Sequence, residues 1–198
     1  MWSFLNKGKE DSQDIWQSFH GKGDSDDILE EKAKMLGAVI FDWARRSTLD
    51  LIEEFNKDTN EKFDNKFAEI FIESIVLYLH YIDRVVFQLL GTEQRNFFMH
   101  HLLNEVTAIF SEAQSTQEQK QHSDSLIVSL YNERQKEYGS YKMKAGENEG
   151  LGGTLFWEFG KKITDITGLE KGIITMTQVQ VCIVTAIQFF QLDSLFRK

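Results

Sequence analysis

Three pairs of side chains stand at the three- or four-residue spacing that puts both members on one face of a helix: His80 with Asp83, His101 with Glu105, and Glu133 with Glu137. A helical bundle can hold a di-iron centre on inward Glu residues and Glu-x-x-His pairs, and none of these pairs has that order. At ~100° per residue, His100 and His101 fall about 130° from the centre of their segment's apolar stripe, so both are expected to face water. No metal-ligand set is therefore assigned. Cys182 lies in apolar sequence with no neighbouring His, where a thiol behaves as a small hydrophobe rather than a nucleophile. The glycines of 146–153 resemble an anion cradle opening onto a helix, but Gly153 stands where a Lys should precede Thr154, and Glu147 and Glu149 would repel an anion. No Gly-x-Ser-x-Gly, His-Glu-x-x-His or Gly-x-Gly-x-x-Gly is present, so neither a catalytic residue nor a cofactor is expected.

The remaining candidates are polar groups in apolar company. Between residues 61 and 90, apolar side chains cover roughly 220° of a helical circumference, and Glu69, Glu73, His80, Asp83, Arg84 and Gln88 fill the rest. Val76, Leu77 and Phe87 interrupt that wedge, which implies partial shelter. Farther along, Arg134 falls on the stripe Ile127, Tyr131, Arg134, Tyr138, Tyr141. A cation there needs a carboxylate, and Glu73 or Asp83 is the expected partner. The cluster Glu73, His80, Asp83, Arg84 and Arg134 is thus the candidate polar site, read as a tie between helices.

Positioning these groups requires long helices. Proline averages ~5% of residues in soluble proteins, and this chain has 0 Pro. Helical periodicity places segments at Asp26 to Asn56, Glu61 to Leu90, Glu93 to Ser115, Asp124 to Met143, Thr154 to Thr167 and Glu170 to Phe196. Leu29, Leu36, Ile40, Trp43 and Ser47 line the first, with Ala33, Gly37 and Ala44 permitting close packing. Gly91 is expected to stop the second segment and Thr92 to cap the third, while the Gln-rich stretch Thr116 to His122 reads as a solvated connection. The β-branched run Val179 to Val184 alternates like a strand, yet no other segment offers it a ladder partner, so it is assigned to helix. The fold class is all-α: a polar segment over 1–25, then one domain over 26–198 forming a bundle of about six helices.

Composition narrows the partners. Lys+Arg number 22 against 31 Asp+Glu, a net charge of −9 that opposes the phosphate-neutralising surface nucleic acid demands. The start, Met1 to Lys7, has no apolar run of signal-peptide length, and the one Cys makes no internal disulfide; both point to the cytoplasm. Residues 172–192 carry no charge at all, which has a chance probability of about 0.2% at ~25% charged residues. The span is long enough to cross a bilayer, but Gln178, Gln180, Gln188, Gln191 and three Thr oppose that, so no transmembrane segment is expected. On a wheel, Met176, Val179, Ile183, Ala186, Ile187 and Phe190 make a core face, and Thr177, Gln180, Val184, Gln188 and Gln191 make a second, neutral stripe. That stripe is either covered by the protein's own bundle or is a contact with a protein partner, a homodimer in the simplest case. The composite expectation is a non-enzymatic interaction or scaffold protein. Two others stay open: a ferritin-like carboxylate/His metal bundle with oxidoreductase or storage activity, and a binder of an apolar small molecule.

Overall fold

Helix α1 runs over Asp26–Thr59, and its start fits the helix dipole, with Asp26 and Asp27 in the first turn and the Ser25 carbonyl accepting the Leu29 N–H at 2.9 Å. Its expected stripe is buried in full, from Leu29 to Ser47, together with Ala33, Gly37 and Ala44. The computed structural model describes residues 25–59, 62–113, 117–143, 150–190 and 192–196, so the polar start before Ser25 and most of the glycine loop lie outside the described residues.

Five further long helices follow: α2 over Phe67–Leu89, α3 over Thr92–Glu112, α4 over Gln117–Tyr138, α5 over Leu155–Thr167 and α6 over Ile173–Phe189. A short α7 over Leu192–Phe196 is the last described element. Among the described residues there is no strand, only an isolated bridge between Lys142 and Thr154 that ties the two ends of the glycine loop together. The all-α bundle of about six helices is therefore the fold.

Several boundaries differ from the sequence reading, and four of the differences have a local reason. α2 begins six residues late because Phe63 folds back onto α1: its N–H meets Asn56 Oδ1 at 2.8 Å, its ring lies edge-on to Phe55, and a 3-10 turn over Asp64–Lys66 completes the reversal. Gly91, at φ −67°, is itself the residue that caps α3, while the extended Leu90 ends α2. The Gln-rich stretch is helix from Gln117 onward, since Gln, Glu and Lys are good helix formers whatever their polarity. The last segment breaks after Phe190. Continued straight, it would carry its last apolar residues off the core, whereas the bend leaves Leu192, Leu195 and Phe196 buried.

α2 is the centre of the arrangement, touching α1, α3, α4, α5 and α7, while α1 packs most extensively on α3. Every side chain from Ser74 to Leu79 is fully buried. Tyr78 sits at the middle, its hydroxyl 2.9 Å from Ser47 Oγ on α1 and its ring edge-on to Phe190 at 5.1 Å. α6 lies at the edge, packed on α5 and on α1. α5 ends at Gly168 in the left-handed conformation (φ 74°), which a side chain would strain, and this turn returns the chain as α6.

The tightest approach is between α1 and α3. A Cβ on Gly37 would stand 2.7 Å from Cγ and 3.0 Å from Cβ of Glu105, so anything larger than hydrogen pushes the two longest-packed helices apart. Overpacking of this kind costs ~1–3 kcal/mol, and Gly37→Val is expected to lower Tm by about 3–10 °C in thermal unfolding. An unchanged Tm would show that the α1–α3 contact is loose there.

Candidate functional site

The polar wedge of α2 meets α4. Glu73, on the second turn of α2 and 4% exposed, is the carboxylate that Arg134 reaches: Nε lies 2.9 Å from Oε1 and Nη2 lies 3.3 Å from Oε2. The Tyr138 hydroxyl donates to the same Oε1, and Arg134 also bonds Glu133 on its outer side. Tyr138 stands one turn beyond Arg134 on α4, so both donors descend on Glu73 from a single helix face. Burial works against the charge on Arg134, yet the Glu73 carboxylate outweighs it and holds the guanidinium above its ordinary value. Burial, then the neighbouring Glu73 charge, pushes the Tyr138 hydroxyl far above the phenol range, so it remains a donor.

A second carboxylate, Asp83, sits nearly three turns farther along α2. It accepts from Arg95 Nε at 2.6 Å and Nη2 at 2.5 Å, and from Gln135 Nε2 at 3.1 Å. That amide orientation turns Gln135 Oε1 toward His80 Nδ1, 3.2 Å away, so Nδ1 carries the proton. His80 Nε2 is buried and has no hydrogen-bond partner among the described residues. Arg84 does something different: its Nη1 donates to the Tyr141 carbonyl at 2.7 Å, closing the free end of α4.

All five expected members therefore lie on the α2–α4 junction, and Arg134 takes Glu73 of its two candidates. Arg95, Gln135 and Tyr138 were not singled out in the sequence. Tyr138 was legible as part of Arg134's own stripe. Arg95 could have been found from the two-residue connection Leu90–Gly91, which folds the first turn of α3 back beside the end of α2. Elsewhere His100 is exposed, but His101 is half-buried, 3.8 Å from Glu30 and against Phe97, because α1 shelters that side of α3.

Chemically, the cluster holds its charges in pairs: Glu73 is engaged by Arg134, and Asp83 by Arg95. Among the described residues no three His, Cys, Asp or Glu side chains converge as a metal site. A polar cleft of about 440 Å³ opens beside the cluster between α2, α4 and α5, and its cations are also paired, Lys162 with Glu137 at 2.8 Å and Lys161 with Glu158 at 2.8 Å. Cys182 is half-buried, and burial pushes its thiol up to about 12, with Asp50 and Glu54 adding to the shift.

The second candidate site is the outer side of α6. Met176, Val179, Ile183, Ala186, Ile187 and Phe190 are buried. Of the neutral stripe, Thr177, Val184 and Gln188 are exposed, Gln180 is half-buried, and Gln191 lies outside the described residues. Beside them Ile173 and Ile174 are 72% and 71% exposed and Val181 is 48% exposed. Among the described residues, none covers this face. No helix among the described residues is long and apolar enough to cross a membrane.

No protein-family profile matches the chain, and neither curated proteins nor solved structures show a match to it.

Two outcomes follow from the junction. Arg134→Ala would leave a sheltered Glu73 carboxylate without its cation, at a cost of ~3–5 kcal/mol, and is expected to lower Tm by roughly 10 °C; a Tm unchanged within error would mean that the pair is dispensable. The His80 imidazole is held below its ordinary value by burial first and by Arg84 second. The folded state therefore takes up the proton less readily than the unfolded chain, whose imidazole titrates near ~6.5. Its contribution is whole above that pH and is lost as pH falls through it toward the lowered folded value. The stability of wild type relative to His80→Gln, measured by urea unfolding, should decline between pH 7 and pH 5, and a constant difference would contradict this.

Proposed function

We propose that this is a non-enzymatic interaction protein that self-associates through the outer face of α6. The observation that carries the reading is the exposure of Ile173, Ile174, Val181 and Val184 on a helix that has no charge over 172–192. Apolar side chains gain ~25 cal/mol per Å² when removed from water, and a contiguous group of them on one helix is the usual mark of a contact surface. An ordinary solvent-facing helix would carry Lys or Glu in the places held by Thr177 and Gln188.

Charge selects the occupant. With a net charge of −9, two copies repel one another over most approaches, and residues 172–192 add no charge of their own to that repulsion. The compartment that goes with this reading is the reducing cytoplasm, where the single thiol stays unpaired.

Light scattering at micromolar concentration is expected to give a mass twice the 23.1 kDa of one chain. Val184→Lys together with Gln188→Lys, both at exposed positions, should return a folded monomer, because each charge meets its own copy across the contact. A wild type that is monomeric throughout would refute the proposal.

A further inference from the structure

His80 is 2% exposed, and its ring is held from one side only. Nδ1 donates to Gln135 Oε1 at 3.2 Å, and the Gln135 amide passes the contact on to Asp83, whose carboxylate also takes two donors of Arg95. Nε2 has no hydrogen-bond partner among the described residues. The neutral ring thus satisfies its single donor. The charged ring must carry a second N–H, and no described acceptor is in place to receive it.

The groups around the ring leave little room for another cation. On α2, Asp83 lies one turn along and is already engaged by Arg95 and Gln135, and Arg84, also one turn along, is a fixed positive charge. From α4 come Gln135, Tyr138, whose ring centre lies 5.6 Å from that of the imidazole, and Tyr131, which neighbours Asp83 and Gln135. α3 contributes Arg95, behind Asp83. Past Tyr138, Glu73 and Arg134 neutralise each other. Asp83, Gln135 and the Tyr138 backbone favour the charged ring, but burial and Arg84 outweigh them.

α4 is the helix that can give way. Among its described side chains only Ile127, Tyr131 and Tyr138 are buried, whereas α2 hides every residue from Ser74 to Leu79. The C-terminal end of α4 is held on α2 by polar contacts that converge near this ring. Gln135 bonds His80, Tyr138 bonds Glu73, and Arg84 Nη1 donates to the Tyr138 carbonyl at 3.5 Å and the Tyr141 carbonyl at 2.7 Å. A segment with few buried apolar contacts opens locally at a lower cost than global unfolding.

We infer that His80 is a proton-sensitive latch: in mild acid its ring takes up a proton, and the stretch from Gln135 to Tyr141 lets go of α2. Opening brings water to Nε2 and lets Arg84 move clear of the new charge. An imidazole in water titrates near ~6.5, so opening is favoured progressively as pH falls below that value, and the latch is shut above it. No residue of α6 takes part, so the inference stands apart from self-association.

Hydrogen exchange read by mass spectrometry on the full chain at pH 7.5 and pH 5.5, with exchange times scaled to the intrinsic rate at each pH, tests the latch. Protection of amides 135–141 should fall about three- to tenfold at pH 5.5, tenfold being roughly the ceiling set by an open-state imidazole that titrates near ~6.5, while amides 29–52 of α1 keep theirs. His80→Gln should abolish this acid response, with circular dichroism confirming that the variant is folded. If it does not fold, His80→Phe takes its place, since it keeps a ring against Tyr138 without a titrating group. An equal loss of protection in α1 and in 135–141 would show global unfolding and overturn the inference. So would unchanged protection in the wild type, or an acid response that survives the loss of the imidazole.

Discussion

The fold turns on one sheltered carboxylate. α2 is the helix that nearly every other element touches, and Glu73 is the more deeply buried of the two carboxylates in its flank, Asp83 being the other. A carboxylate in that position is tolerable only with its partners, and both arrive from α4, the guanidinium of Arg134 and the hydroxyl of Tyr138. That requirement fixes the rotation of α4 about its own axis as well as its contact with α2. Once α4 is placed, Gln135 falls between Asp83 and His80, and the end of α4 comes within reach of Arg84. The rest of α2 is then free to be apolar on the sides it turns to α1, α5 and α7.

α6 shows the complementary case. Its inner face is as apolar as α2 and completes the core through Met176, Ile183 and Phe190. Its outer face holds apolar and neutral residues that no described element covers. The two faces of one helix thus differ: the inner one is buried in the bundle, and the outer one leaves Ile174 and Val181 exposed. The α2–α4 junction and the outer face of α6 share no residue. The first holds the bundle together, and the second is what the bundle presents.

Much of this was legible in the sequence. Absent proline and long periodic stripes specified the helices, and an Arg on the aromatic stripe of α4 specified a buried ion pair with the wedge of α2. What escaped was set by tertiary geometry. Arg95 reaches Asp83 only because a two-residue turn reverses the chain, and the start of α2 is delayed because Phe63 finds a seat against Phe55. The break after Phe190 follows from the pull of Leu192, Leu195 and Phe196 toward the core. The exposed outer face of α6 was partly visible as a neutral stripe. Its register could not be read, because Gln180 and Val181 are adjacent in sequence and only packing decides which of them is tucked in.

The central claim is that the outer face of α6 is covered in solution by a second copy. Hydroxyl-radical footprinting over a range of protein concentrations measures that coverage directly, with Phe87, 62% exposed at the end of α2, as an internal reference. Oxidation of Ile173, Ile174, Val181 and Val184 should fall as the concentration rises while that of Phe87 stays constant. Oxidation of the α6 residues that does not change with concentration would contradict the account.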